Sequence, residues 1–144
     1  MYNIAEMRIT NRKAKFNYKL ESERFEAGIS LEGSEAKAFR TNKVDLTNAH
    51  ARIIDDEVWL INANISGAKK PTRMRKLLLK KNEIISISTK MKQKRLTFVP
   101  ISMYTTGHLI KVKLALGKTK KKFEKRENLK KKAIKRQIEQ EIKK

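Results

Sequence analysis

The chain has 144 residues but no cysteine, only two prolines and five glycines, and no long apolar run. Without cysteine there is no disulfide framework, no thiolate nucleophile and no zinc site with cysteine ligands. The scarcity of Pro and Gly argues against a flexible linker, so we expect one domain rather than two joined domains. A membrane-spanning helix needs roughly 20 consecutive apolar residues, and no stretch of this sequence approaches that length.

Neither the N-terminal sequence nor the aromatic content points to a membrane. The opening sequence MYNIAEMRIT lacks the apolar core and cleavage site of a signal peptide. An amphipathic membrane anchor usually carries Trp or Phe on its apolar face, and Phe123 is the only such residue after Gly117. We therefore expect a cytoplasmic protein without a membrane partner.

Acidic residues are also scarce, with 15 Asp and Glu against 36 Lys and Arg, which gives a formal net charge of +21. Residues 118–144 hold 13 basic and four acidic residues, a net of +9, which leaves +12 for residues 1–117. A positive field of this size attracts nucleic acid or an anionic membrane surface. Because the membrane signals are weak, nucleic acid is the favoured partner.

The last 27 residues combine this charge with a sparse apolar stripe. So polar a segment cannot bury a core of its own, yet its apolar residues recur every four or five positions, near the helical period. The stripe consists of Leu129, Ala133 or Ile134, Ile138 and Ile142. We predict a folded domain over residues 1–117 and a basic C-terminal tail over residues 118–144. The tail is expected to be disordered when free and helical when a polyanion neutralises it, unless it merely aids solubility.

Alternation of apolar and polar residues predicts three β-hairpins before the tail. The predicted strand pairs are Phe16–Leu20 with Phe25–Leu31, Ala51–Ile54 with Val58–Ile61, and Leu96–Tyr104 with Leu109–Leu116. The turns between them are polar or contain glycine, and the middle one is the acidic run Asp55–Glu57. Residues 62–70 are expected to form a loop, followed by a basic stretch over residues 71–76.

Two short helices are predicted between the strands. Ser34 is a candidate N-cap for the first, which ends near Asn42 because Asn tolerates left-handed dihedral angles. The second covers Leu77–Lys94, where apolar residues have the spacing of one helix face. The expected fold is mainly β with short helices, an OB-like antiparallel barrel of a kind that often binds nucleic acid.

The sequence contains no specific catalytic or metal-binding pattern. His50 and His108 lack metal-ligand spacing, and no glycine-rich phosphate loop of the Walker type is present. The carboxylates of Asp55–Glu57 are better explained by a hairpin turn. We therefore expect no catalysis, no metal and no cofactor. Lys111 and Lys113 share one face of a predicted strand, which is either an RNA contact or a solvated outer surface.

Six short motifs follow one another in a recognisable order. They are NRKA at residues 11–14, FEAGI at 25–29, GSEAK at 33–37, EVWLIN at 57–62, RKLLL at 75–79 and KKKFEKRE at 120–127. Together with a basic tail after a barrel, they resemble the SmpB family, the SsrA-binding proteins of bacterial trans-translation. The chain departs from the family pattern at Thr119, where the family has glycine.

The resemblance implies a specific activity. SmpB-like proteins have an OB-type barrel, bind the tRNA-like domain of tmRNA (SsrA RNA) and deliver it to stalled ribosomes. Their tail folds into a helix along the empty mRNA channel, past the decoding centre. A monomer is expected. Two other functions stay open, namely a ribosomal or other structural RNA-binding protein, and an RNA-modifying enzyme that uses a carboxylate or a lysine.

The resemblance also implies site residues, carried over motif by motif. The residues matched to tmRNA binding are Asn11, Arg12, Lys13, Glu26, Arg40, Lys43, Leu78 and Lys111. The residues matched to the ribosome-binding part of the tail are Lys118, Lys120, Lys121, Glu124, Lys125 and Arg126. A carboxylate repels phosphate, so Glu26 either accepts from a base or orients a neighbouring cation, or else forms an ion pair at a strand edge. Leu78 could equally belong to the core.

Overall fold

The computed structural model describes residues 7–142, with side chains throughout except at residues 122–124 and 141–142. This part of the chain forms nine strands and four helices. In chain order they are β1 (Arg8–Thr10), α1 (Ala14–Asn17), β2 (Tyr18–Ile29), α2 (Gly33–Arg40), β3 (Val44–Asp45), β4 (His50–Ile54), β5 (Glu57–Ile61), β6 (Asn64–Ile65), β7 (Arg75–Leu78), α3 (Lys81–Lys94), β8 (Thr97–Thr106), β9 (Leu109–Thr119) and α4 (Lys122–Ile142).

Six of the strands close into a barrel. Their order is β4, β5, β7, β2, β9 and β8, and β8 closes the ring by pairing with β4. β1 adds to the other half of β8, while β3 and β6 form a separate two-stranded sheet. β8 serves three partners because it is ten residues long and its register shifts between Pro100 and Ser102. The predicted mainly-β, OB-like barrel with short helices is confirmed.

The barrel interior is filled by apolar side chains that alternate along the strands, as a half-buried sheet requires. Fully buried side chains come from all six barrel strands and from helices α2 and α3: Ala27, Ala51, Val58, Leu60, Leu77, Phe98, Met103, Val112, Leu114, Phe39 and Ile87. One face of each strand therefore packs inward, and the opposite face is left for the outer surface of the barrel.

The predicted hairpin at residues 16–31 is wrong. Residues 18–29 form the single strand β2, which pairs with β9 on both sides of a register shift between Leu20 and Arg24. Phe16 lies outside the strand, in the short helix α1. The polar run at residues 21–24 resembles a turn, but it is an irregularity in a long strand whose partner lies about 90 residues further along the chain. The later two hairpins are confirmed.

The second predicted helix begins too early. α3 starts at Lys81, whereas Leu77 and Leu78 belong to β7, which is paired with β5 and β2. Ile84, Ile87 and Met91, which have the predicted spacing of one helix face, do pack in or against the core, so only the start of the helix is wrong. Leu77 happens to continue the helical spacing of the apolar residues, although it belongs to the strand.

The predictions for the helix caps and the loop are partly wrong and partly confirmed. Glu32 rather than Ser34 is the N-cap of α2, and its backbone N–H donates to the Glu35 carboxylate over 2.8 Å. The predicted left-handed conformation of Asn42 is confirmed by its φ of 61°. The predicted loop over residues 62–70 contains the short strand β6, and the basic stretch over residues 71–76 enters β7 at Arg75.

The tail leaves the barrel as a direct extension of β9. Thr119 still pairs with Tyr18, and the backbone N–H of Lys120 donates to the Asn17 carbonyl over 2.9 Å. Residues 122–142 then form α4, with the Leu129, Ile134 and Ile138 side chains largely exposed. None of the described helices is both long and apolar enough to cross a membrane. The side chain of Ile142 and the N-terminal residues 1–6 lie outside the described part of the chain.

Candidate nucleic-acid interface

Three of the sequence-predicted site residues converge on the outer face of the barrel. Gly28 of β2 pairs with Leu78 of β7 on one side and with Lys111 of β9 on the other. Glu26, two residues before Gly28, shares its strand face. Together they line a groove of about 570 Å³, which we call the large groove. Three strands distant in sequence thus supply one surface.

The centre of this surface is an exposed leucine above a glycine. The Leu78 side chain is 55% exposed, while its neighbour Leu77 points into the core, so Leu78 is a surface residue. Gly28 lets Leu78 lie close to the sheet, because a Cβ atom at residue 28 would already be 3.4 Å from the Leu78 Cβ and 3.5 Å from its Cδ1. The arrangement gives an apolar ridge that a base or ribose could contact.

Glu26 is held in a fixed position by two partners. Its Oε1 accepts from the Lys111 Nζ at 3.0 Å, and its Oε2 accepts from the Tyr104 hydroxyl. The hydrogen bond from Tyr104, followed by that from Lys111, holds the pKa of Glu26 below its usual value. The carboxylate therefore stays charged and orients Lys111. Two of the roles considered for Glu26 from the sequence, an ion pair and the orientation of a neighbouring cation, are thus the same contact.

Tyr104 fixes the Glu26–Lys111 pair by donating its hydroxyl hydrogen bond to Glu26. Its ring is buried, and the Arg8 guanidinium carbon lies 5.0 Å from the ring centroid, a cation–π distance. Burial, together with the negative Glu26 that it donates to, raises the pKa of Tyr104 to about 12. The sequence analysis missed Tyr104 and Arg8. Only the register that sets Tyr104 opposite Lys111 brings the phenol to Glu26.

Replacing Tyr104 with Phe should remove the component of the tyrosine titration that appears at the highest pH. The neutral phenol is favoured in the folded state, so its stabilisation is present below pH 10 and is lost as the pH rises towards 12. Absorbance titration of the wild type, which has three tyrosines, should show a component with a midpoint of about 12. Tyr104→Phe should lack it. A variant that keeps this component would contradict the assigned hydrogen bond.

A second groove, of about 310 Å³, adjoins the first and is called the small groove. It lies between α2 and the β8–β9 hairpin, where Arg40, His108 and Leu109 contribute to its lining. Gly28, Leu78 and Lys111 line both grooves. The two grooves therefore form one continuous surface, with Leu78 between them, and Arg40 joins the residues that the fold brings together.

Asn11 is placed differently from the groove residues. It is buried, its backbone N–H donates to the Ile101 carbonyl over 2.7 Å and its Nδ2 donates to the Pro100 carbonyl over 2.9 Å. These bonds hold the turn after β1, in which Arg12 and Lys13 are exposed. Asn11 thus positions two cations rather than lining either groove.

Lys43 and the tail residues lie on other parts of the surface. Lys43 lines a separate cleft with residues of α2 and Gly67. At the start of the tail, the Lys120 Nζ donates to the Lys15 carbonyl over 2.9 Å, and the Lys125 Nζ lies 5.8 Å from the centroid of the Phe16 ring. α1 therefore holds the start of α4. Lys118, Lys121 and Arg126 are exposed, and the side chain of Glu124 lies outside the described atoms.

The described residues contain no cluster of His, Asp and Glu that could hold a metal ion. His50 opens β4, and His108 lies in the turn between β8 and β9. The arrangement of cations around an apolar ridge is instead suited to binding a polyanion that also exposes bases, because phosphates meet the cations and bases meet the leucine.

Comparison with known proteins gives a consistent result. A sequence model of the SmpB protein family matches residues 8–144. An SsrA-binding protein of Dehalococcoides mccartyi is 40% identical over 141 residues, which covers 93% of this chain and 81% of that protein. An SsrA-binding protein of Trichormus variabilis is 43% identical, over 92% of this chain and 90% of its own.

A solved structure agrees with these relatives. A chain of the structure described as "tmRNA-SmpB: a journey to the center of the bacterial ribosome" superposes with a TM-score of 0.65 and 40% sequence identity. The match covers 80% of this chain and 85% of the other. At this identity the likeness extends beyond the fold to the sequence.

Proposed function

The chain belongs to the SmpB family, and from that premise we propose that it binds the tRNA-like domain of tmRNA and delivers it to stalled ribosomes for trans-translation. A solved relative is described with tmRNA and the bacterial ribosome, which supports both partners. On this proposal the protein acts in the cytoplasm, by binding and positioning RNA rather than by catalysis.

The observation that carries the proposal is the convergence of Glu26, Leu78 and Lys111 on one exposed face. These residues come from three strands that are distant in sequence, yet they line one groove. A chance set of surface residues would be scattered over the barrel. The same face carries Gly28, against which the exposed Leu78 side chain lies.

Each residue has a role that its chemistry allows. Lys111 neutralises a phosphate, and Glu26 fixes the lysine while its remaining lone pairs accept from a base amino group. Leu78 contacts a base or a ribose. Arg12 and Lys13, held by the buried Asn11, would add backbone contacts. Arg40 and Lys43 would do the same on the side of α2.

The chain would then divide its work between two parts. The barrel, residues 1–117, would hold most of the affinity for the tRNA-like domain, because the groove residues all precede the tail. Residues 118–144 would follow the empty mRNA channel past the decoding centre, with their cations on ribosomal RNA. The residues proposed for this contact are Lys118, Lys120, Lys121, Glu124, Lys125 and Arg126.

The proposal is tested by recovering the RNA that the protein binds in bacterial extract. Sequencing of the bound RNA should yield one dominant tRNA-like species. Bulk ribosomal RNA would instead indicate a ribosomal or other structural RNA-binding protein. Release of a modified nucleoside would indicate an RNA-modifying enzyme. Either of the last two results would overturn the proposal.

Lys111→Ala should shallow the salt dependence of binding to the purified tRNA-like RNA. Affinity falls with a log–log slope of roughly −0.7 to −0.9 per phosphate neutralised, so loss of one contact should change the slope by about one unit. Lys90→Ala is the matched control, because Lys90 also pairs with a glutamate, Glu23 at 2.5 Å, but lines neither groove. Equal slopes for both variants would place Lys111 away from the RNA backbone.

A further inference from the structure

The lining of the small groove includes His108 and Leu109, which lie outside the six family motifs and were not predicted as site residues. Leu109 begins β9 directly after the two-residue turn Gly107–His108 and is 63% exposed. One exposed leucine would be ordinary. However, Leu109 lines the same groove as Leu78, which is 55% exposed. Two large apolar side chains are thus left open to solvent on one surface, although the barrel has a well-filled core.

The charge of the small groove separates it from the large groove. Glu26, Asp56, Glu57 and Glu83 all contribute to the large groove. The residues that line the small groove include Arg40 and Lys111, and none of them, all within the described part of the chain, is a carboxylate. Arg40 forms no ion pair with the described side chains. The groove therefore presents apolar walls and positive charge.

We propose that the small groove binds an unstacked nucleotide of the RNA, with its base against Leu109 and its phosphate against Arg40. This inference rests on the proposed function and adds a subsite to it. The occupant follows from charge complementarity and from continuity, because Leu78 and Lys111 line both grooves. An RNA strand lying in the large groove would thus carry its next nucleotide past Leu78 into the small one.

The physical reason for an unstacked nucleotide lies in the shape and chemistry of the groove. Proteins recognise RNA mostly at loops and bulges, whose splayed bases expose an apolar face beside a charged backbone. The small groove offers these two surfaces side by side. A stacked helical segment hides the faces of its bases and presents phosphates, 2′-hydroxyls and base edges, so the exposed Leu109 would meet no apolar base face.

The test uses the full-length chain and the purified tRNA-like RNA. Leu109→Ala is compared with Ile85→Ala, which shortens a side chain of similar exposure, 59%, on α3 outside both grooves. Burial of a leucine side chain predicts that Leu109→Ala weakens binding about tenfold, with an unchanged salt slope because no charge is removed. Arg40→Ala should shallow the slope by about one unit.

Chemical probing of the bound RNA provides the second measurement. A nucleotide protected by the wild type should become reactive in the Leu109→Ala complex while the rest of the footprint is retained. Binding and footprint equal to those of Ile85→Ala would overturn the subsite and leave the proposed function intact. Failure of the wild type to bind the tRNA-like RNA at all would overturn both.

Discussion

Replacement of Arg75 with Ala is expected to lower the free energy of unfolding by about 3–5 kcal/mol, the usual cost of removing one partner of a buried ion pair. Arg75 is 0% exposed, and its Nε donates to the carboxylate of Glu35, which is 1% exposed. Its other nitrogens donate to the carbonyls of Ala63, Lys70 and Pro71 over 2.9 to 3.2 Å. The guanidinium of Arg75, a residue of β7, thus joins this strand to α2 and to the segment between β5 and β7.

The pH dependence of this loss identifies its cause. Burial acts to raise the pKa of Glu35, but Arg73, the Glu32 N–H and Arg75 outweigh it and hold the pKa below its usual value. Wild-type Glu35 therefore contributes stability above about pH 4.5 that is lost as the pH falls through the folded pKa. In Arg75→Ala the deficit should shrink at acid pH, because protonation removes the uncompensated charge.

Urea denaturation monitored at several pH values measures both effects. Arg73→Ala is the control, because Arg73 contacts the same carboxylate at 2.5 Å but is 29% exposed and should cost less. Arg75→Lys should recover only part of the loss, because one ammonium cannot replace the planar fork of donors. A deficit below about 1 kcal/mol for Arg75→Ala, the scale of an exposed ion pair, would show that this network does not hold the fold.

The second large effect concerns the tail, where Ile138→Pro should leave tmRNA binding intact but abolish tagging of stalled chains. Proline in a helix interior costs roughly 3 kcal/mol and removes a hydrogen bond. Ile138 is 51% exposed and lies in the C-terminal part of α4, one turn before its end at Ile142 and far along the chain from the groove residues. The change should therefore affect the proposed contact with the mRNA channel alone.

Both activities are measurable in a purified translation system stalled on a truncated message. Ile138→Ala separates helix from apolar contact, because alanine is the best helix former and removes most of the side chain. Partial tagging by Ile138→Ala and none by Ile138→Pro would support a helix with an apolar stripe. Full tagging by the proline variant would mean that the tail acts as a flexible cationic tether.

The sequence by itself determined the features that depend on neighbouring residues. The hairpins around Asp55 and Gly107 were predictable because each turn and its two strands lie within about 20 residues, and the period-two pattern sets their faces. The positive charge and the family motifs are properties of composition and order. They led to an RNA-binding barrel and to the residues Glu26, Leu78 and Lys111.

Only the tertiary structure decided which of these residues share a surface. The first hairpin was misjudged because the partner of β2 is β9, and a polar run in a long strand has the local pattern of a turn. Tyr104 and Glu26 are 78 residues apart in sequence, and Arg75 and Glu35 are 40 apart. Such pairs arise from the closure of the barrel and the register of its strands. The local alternation of apolar and polar residues determines neither the closure nor the register, because many different strand partners would satisfy the same alternation.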